Sequence, residues 1–556
     1  MEEIKKALVA NGFKGELDDS ASAKEVYSHD ASMFEVRPEL VVMPQDAKDV
    51  EAVVKFVAQQ KKAHPRLSIT GRSAGTDMAG GAINDSIIMS FTQHMNKIVH
   101  VTHETATAQP GVYYRDFEVE TLKHGSLMPS YPASRDLCAI GGIVNNNSGG
   151  EKSLEYGKTA DWIDQLKVVF ADGVERVVKP LNKKELLAKC AQKDFEGEVY
   201  QGIYDLCEAH YDVIKAAKPH VSKNSMGYGI WDVWDRETCI FDLTRLIVGG
   251  EGTLGMLTEA TFRLTPRRKH SGLLVFFLKD IKKLGDVINT VLEAKPATFE
   301  GFDDQTMILF FKLMPSLLKD MGLIPFATLM FSLIPQGLMV TRGYPKLILM
   351  VEFNGETVEE VRTKIHNLHT NLGLRNRQFH YSITAYEEDA TEAASQKFWL
   401  MRRKSFQLLR SKVKDKHTAP FIDDFIVPPA VLPEFLPKLQ KIIRKYRLFA
   451  TIAGHMGDGN FHVIPLMKIE EKKERKKLLP AMKEVNSLVL QYGGSLSGEH
   501  NDGLVRGPWL KDQFGSEMLQ VFRAAKDIMD PQHIFNPHKK ANADWDFSYS
   551  HIREHF

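Results

Sequence analysis

The stretch "VGGEGTLGMLTEATFRLTP" (residues 248–266) constrains the fold more than any other. Gly250, Gly252 and Gly255 spell G-x-G-x-x-G. That spacing marks a dinucleotide site only where a helix follows, because the helix N-terminus holds the pyrophosphate. Here Met256, Thr258, Ala260, Phe262 and Leu264 take every second position in a run rich in β-formers, the period of a strand. A Rossmann domain with a nicotinamide cofactor is therefore not expected. No G-x-x-x-x-G-K-[ST] occurs, which excludes a P-loop. Two more glycine clusters, residues 71–81 and 141–150, close strand-like runs. Such loops let backbone N–H groups approach and wrap a long phosphate-bearing ligand, although tight β-turns use the same residues.

At 556 residues the chain exceeds one hydrophobic core, so two or more domains are expected. The 72 Lys and Arg nearly cancel the 71 Asp and Glu, so charge does not recommend nucleic acid as a partner. Cys138, Cys190, Cys207 and Cys239 form no C-x-x-C, which argues against cysteine-ligated zinc and iron–sulfur clusters. The N-terminal "MEEIKKALVANGFKGELDD" lacks a signal-peptide apolar core, pointing to a cytoplasmic protein. Residues 321–341 carry no charge. They read as a buried helical hairpin or as a surface that touches the inner face of a membrane peripherally.

The run "ELVVMP" (39–44) reads as a strand and "AKDVEAVVKFVAQQKK" as a helix. From Ser86 to about Leu264, short strand-like runs such as "SIIMSF", "GIVNNNSGG" and "LKVVFADG" dominate. Beyond Arg267 strands and helices alternate, as "LLVFFLKD", "IKKLGDVINTVLEA", "YPKLILMVEFNGE" and "TVEEVRTKIHNLHTNL". The expected class is α+β. It is divided into an N-terminal helix and ligand-binding domain (1–268), a second sheet domain with an apolar insert around 300–345 (269–450), and a C-terminal segment (451–556).

The ordered set "GRSAGTDMAGGA", "PASRDLCAIGGIVNNNSGG", "YGKTADWI" and "GGEGTLGMLTEATFRLTP" resembles the PCMH-type FAD-binding domain of the vanillyl-alcohol-oxidase superfamily. "GHMGDGNFHVIPL", "SGEHNDGLVRGPWL" and "MDPQHIFNP" look like the matching FAD-linked oxidase C-terminal domain, as in D-lactate and other D-2-hydroxyacid dehydrogenases. The resemblance implies two α+β subdomains around FAD, an α+β substrate cap with an antiparallel sheet, and a helical C-terminal segment that returns to the FAD domain. It places the cofactor along Arg72, Ser73, Ala74, Gly75 and Thr76, near Ser134, Gly141, Gly142, Ser148, Gly149 and Tyr156. Gly250, Glu251, Gly252, Gly255, Leu257 and Asn536 complete the lining. Some relatives attach FAD covalently through a histidine of the first loop. Ser73 stands in "GRSAGTD", so noncovalent FAD is expected.

In "GHMGDGNFH" (454–462) the segment from Phe461 reads as a strand, on which Asn460 and His462 share a face. The turn can fold His455 back toward them. In an extended "SGEHND", Glu499 would face the histidines and His500 would face elsewhere. Two histidines and a carboxylate leave a position open, as at a catalytic divalent metal. Ordinary turn and core histidines are the plainer reading. The resemblance implies that His455, His462 and Glu499 hold zinc or another divalent metal, as in the metallated branch of the family. It makes His500 the base, puts Asn460 on the substrate and gives the substrate carboxylate to Arg402, with Arg403 as a rival.

Ile422 in "FIDDFIVP" replaces a lysine of 2-hydroxyglutarate-type relatives, which favours a smaller D-2-hydroxy acid such as D-lactate. Electrons would pass to a quinone, an electron-transfer flavoprotein or an iron–sulfur partner, and a homodimer is admissible. Two other readings stay open. One is a transferase like alkyl-dihydroxyacetonephosphate synthase; the other is a non-catalytic flavin relay subunit.

Overall fold

A computed structural model describes residues 2–279, 284–304, 306, 345–373, 379–385, 399 and 416–554. The apolar stretch 321–341 and Arg402 with Arg403 lie outside the described residues.

Apolar alternation and β-branched runs build three principal sheets. The first joins Glu16–Asp18, Leu40–Met43, Ile87–Ser90 and Ile69–Arg72 in that order, with the last three strands parallel. Parallel strands must be covered on both faces, and Leu40–Met43 and Ile87–Ser90 are buried at every residue. The helix Ala47–Gln60 covers this sheet, its first N–H groups capped by Asp46. The second sheet is antiparallel and runs Ile98–Val101, Thr105–Ala108, Met256–Arg263, Ile163–Val169, Glu175–Val178. The segment after the G-x-G-x-x-G is thus its central strand, as the alternation implies.

The third sheet is antiparallel throughout. Its order is Phe379–Ala385, His270–Leu278, Leu347–Gly355, Thr298–Asp303, Phe449–His455, Asn460–Met467, His417–Thr418, with Phe425–Ile426 also paired to Asn460–Met467. The strands that carry His455 and His462 therefore share a sheet with His270–Leu278 and Thr298–Asp303. The kinked helix Leu510–Met529 carries the chain back to the first two sheets, where Asn536 N–H donates to the Ile69 carbonyl at 2.8 Å.

One local reading differs. "GGIVNNNSGG" is not strand-like: Ile140–Asn146 is a short helix, ended by Asn147 at φ +47°. Asparagine tolerates that left-handed conformation, and its placement closes the helix C-terminus. Three successive asparagines carried no periodic signal that would have distinguished the two.

The turn between Phe449–His455 and Asn460–Met467 depends on Gly459, at φ +73°. A Cβ there would collide with the Val427 carbonyl. Gly459→Ala should cost at least about 1–3 kcal/mol from the left-handed backbone alone. Thermal unfolding should show a clearly lowered Tm; an unchanged Tm would contradict this account of the turn.

Candidate functional site

The site assembles from strand register. Glu300 lies opposite His455, and His455 lies opposite Asn460, so all three share one neighbourhood across three strands. His462 follows Asn460 by two and points to the same face. Phe425–Ile426 pairs with Phe461 and Asn460, which brings Asp423 and Asp424 beside His462. Ile426 bridges Ser495 in turn, so residues 495–500 arrive at the same edge.

Asp424 is fully buried and left-handed, at φ +66°. Its carboxylate accepts hydrogen bonds from Ser497 Oγ (2.5 Å), His500 N (2.7 Å), Glu499 N (3.1 Å) and Asn460 Nδ2 (3.1 Å). The segment 497–500 is therefore a loop wrapped around one carboxylate rather than an extended strand. For that reason Glu499 and His500 do not diverge as the sequence reading expected. His500 stacks on His462 with centroids 4.8 Å apart. Asp423 joins the two rings, meeting His500 Nδ1 at 2.8 Å and His462 Nδ1 at 3.2 Å.

Glu499 is the centre of convergence. Its Oε1 lies 3.2 Å from both His455 Nε2 and His462 Nε2. The other nitrogen of each ring is held by a carboxylate: Glu300 takes His455 Nδ1 at 2.5 Å and Asp423 takes His462 Nδ1. A carboxylate on Nδ1 orients a metal-binding histidine and leaves Nε2 to coordinate. Two Nε2 lone pairs facing one ionised oxygen need positive charge between them. Burial opposes the charged form of His462, but hydrogen bonds to Asp423 and Glu499 push its pKa up to about 10. Burial likewise opposes ionisation of Glu499, yet Lys223 and His455 hold it well below the usual carboxylate range.

A divalent ion would satisfy the same geometry. Ligands at ~2.1 Å from one ion are about 3.0–3.4 Å apart, which brackets the 3.2 Å observed. Ligand atoms of Asp424, His462, Glu499 and His500 also lie within 4.8 Å of one another. The Asp424 oxygens are already occupied by four donors, whereas His455 Nε2 faces Glu499 Oε1 at 3.2 Å. The donor set therefore fits a divalent ion.

Other expected residues are less free. Asn460 Nδ2 is committed to Asp424 and the Phe425 carbonyl, while its buried Oδ1 has no hydrogen-bond partner. Arg506 donates to the carbonyls of Asn501 (2.8 Å) and Asp423 (2.9 Å), which makes it a brace for the loop.

The glycine loops meet on the other side. Gly141 lies against Ser73 and Pro110 so closely that a Cβ would stand 2.5 Å from Ser73 Oγ. Gly252, at φ +65°, donates its N–H to Asn145 Oδ1 at 2.9 Å. Glu251 accepts from Gly503 N at 2.9 Å, and Gly75 turns at φ +67°. A Cβ on Gly142 would meet nothing within 4 Å. That open cradle fits a phosphate-bearing cofactor lying against backbone. Asn536 pins the cradle with its side chain, accepting from Thr70 Oγ1 and donating to the carbonyls of Gly81 and Glu251. Ser148 lends its carbonyl to Ser130 and Thr159, and the Tyr156 carbonyl accepts from Trp162. Ala74, Thr76, Ser134, Gly149, Gly250, Gly255 and Leu257 fall in or beside the same loops. Gly149 links the two halves: a Cβ there would lie 3.5 Å from Glu499 Oε2.

Sequence reasoning missed Asp423, Asp424, Glu300, Lys158 and Lys223. Lys223 Nζ lies 3.1 Å from Glu499 Oε2 and 3.4 Å from Asp458 Oδ2. Lys158 Nζ donates to the carbonyls of Asn224 (3.1 Å) and Gly498 (2.8 Å) and to Ser225 Oγ; burial pulls it down to about 7. The paired aspartates of "FIDDFIVP" were the one available signal.

Residues 38–178 match the FAD binding domain family, and residues 267–540 match FAD linked oxidases, C-terminal domain. A D-2-hydroxyglutarate dehydrogenase of Pseudomonas putida is 26% identical over 97% of this chain, which spans only 51% of that protein. The glycolate oxidase subunit GlcD of Bacillus subtilis is 27% identical, covering 97% of this chain and 96% of its own. A D-lactate dehydrogenase of Archaeoglobus fulgidus is 25% identical over 94% of this chain and 98% of its own. Among solved structures, an alkyldihydroxyacetonephosphate synthase aligns with TM-score 0.65 at 17% identity, over 97% of this chain and 86% of that one. A 4-ethylphenol oxidase from Gulosibacter chungangensis aligns with TM-score 0.66 at 12% identity, over 98% of both chains. These two likenesses speak to the fold alone. With one match on the glycine-loop side and the other on the sheet that carries the histidines, the chain belongs to the FAD-linked oxidase family.

Proposed function

We propose that the chain oxidises a small D-2-hydroxy acid, D-lactate-like in size, to the 2-oxo acid. The observation that carries this reading is the convergence of His455 Nε2 and His462 Nε2 on one oxygen of Glu499, with His500 stacked beside them. Bound FAD would accept the hydride that leaves C2. A divalent ion of the zinc class, held by His455, His462 and Glu499, would polarise the substrate hydroxyl and lower its pKa.

The chain's own residues do the remaining work. Asp423 holds the Nδ1 face of His500, which leaves Nε2 to take the hydroxyl proton as hydride departs. His500 retains 21% side-chain exposure, so it alone of the three histidines has a substantial open side. Asn460 presents a buried carbonyl oxygen without a partner, which suits a contact with the substrate hydroxyl. Arg402 is the proposed partner of the substrate carboxylate. Ile422 is 3% exposed and brings no cation where 2-hydroxyglutarate-type relatives carry lysine, which supports a short side chain on the acid. Electrons then leave the flavin for a quinone or a protein acceptor. Among the described residues no helix is long and apolar enough to cross a membrane.

His500→Asn should slow flavin reduction by the preferred acid about 10²–10⁴-fold while the protein stays yellow. Stopped-flow absorbance measures it, and a change of only a few-fold would remove His500 as the base. In the same assay, chelator-treated protein should lose reduction and regain it with a divalent cation. Acid precipitation should leave the yellow colour in the supernatant, since Ser73 stands where covalent relatives have histidine; a yellow pellet would overturn noncovalent binding.

A further inference from the structure

We propose that Lys223 is a positioning residue that restricts Glu499 to single-oxygen ligation and so keeps a coordination position open for the hydroxy acid. This rests on the metal reading above.

The two oxygens of Glu499 face different partners. Oε1 points to the two histidines, and Oε2 lies 3.1 Å from Lys223 Nζ. A carboxylate whose second oxygen is held by an ammonium ion cannot turn both oxygens to one metal without giving up a buried, charge-assisted hydrogen bond. The Lys223 side chain is 1% exposed and that of Glu499 is 4% exposed, so water offers no replacement for that bond. Losing one partner of such a pair leaves the other charge buried and uncompensated.

Lys223 is also held rigidly with respect to Glu499. Its own loop is fastened to residues 495–502 on both sides. Ser225 N donates to the Ser497 carbonyl at 3.0 Å, and Ser495 Oγ donates to Asn224 Oδ1 at 2.5 Å. Gly227 N donates to Asp502 Oδ2 at 3.0 Å. Lys158 ties the Asn224 carbonyl to the Gly498 carbonyl, and Lys540 ties the carbonyls of Ser225 and Gly227 to Asp502. Asp458 adds a second carboxylate 3.4 Å from Lys223 Nζ. A lysine fixed this well acts on the carboxylate as a stop rather than as a mobile counter-ion. The prize is the open site: a divalent ion with two histidines and one carboxylate oxygen retains positions for the substrate, whereas a second carboxylate oxygen fills one of them.

The test uses cobalt(II) in full-length holoprotein, because visible d–d intensity falls as coordination number rises. Lys223→Met should lower the band intensity at least about two-fold relative to wild type, with cobalt bound no more weakly and KM for the acid raised more than kcat is lowered. Lys223→Arg should restore the wild-type spectrum. Where the Met variant does not fold, Lys223→Gln, too short to reach Oε2, serves with the same expected direction. A variant that binds cobalt with the wild-type spectrum overturns the role of Lys223 alone. Wild-type protein that takes up no cobalt overturns the metal reading and this inference with it.

Discussion

The carboxylate of Asp424 organises the site. A fully buried carboxylate is tolerated only when hydrogen bonds and opposite charge saturate it. Here the donors are two backbone N–H groups, a serine hydroxyl and an asparagine amide, drawn from the strand Asn460–Met467 and the loop 497–500. Burial would raise its pKa, but His500 and Arg506 outweigh that and keep it ionised. With both neighbouring amides committed to one acceptor, the directions of Glu499 and His500 are set by backbone geometry. Glu499 then meets His455 and His462, while His500 lies over His462.

The surroundings balance charge locally. Glu300, Asp423, Asp424, Asp458 and Glu499 are all buried, and Lys223, Lys158, Arg506 and three histidines face them. Much of that positive charge comes from the glycine-loop side of the molecule. The C-terminal segment reaches back in the same way: Lys526 donates to the carbonyls of Thr253 and Phe535, Lys539 to that of Ile83, and Asn536 ties three loops together. Buried amines bonded to carbonyls of distant segments make the register of cradle and site a single problem. A shift in either half would strand charges in the interior, at several kcal/mol each.

The sequence made local periods legible and long-range pairings illegible. The strand Met256–Arg263 followed from alternation, and rejecting a Rossmann helix after Gly255 rested on that period alone. His455, Asn460 and His462 were found because seven residues around a Gly-Asp-Gly turn bring two strands together. The expected direction of His500, away from the other histidines, failed because it assumed an extended backbone, and nothing in "SGEHND" announces a carboxylate 76 residues away that curls it. Glu300 and Lys223 were invisible for the same reason, lying 155 and 276 residues from the groups they hold. Such partners are chosen by sheet order and loop docking, which composition and spacing do not encode.

The proposed reaction passes electrons from a 2-hydroxy acid to bound flavin. The most direct measurement is the anaerobic absorbance of the purified yellow protein after mixing with matched D- and L-2-hydroxy acids of increasing side-chain length. One short D-acid should bleach the flavin band far faster than its L-enantiomer or 2-hydroxyglutarate. A flavin-loaded protein that no 2-hydroxy acid bleaches would contradict it.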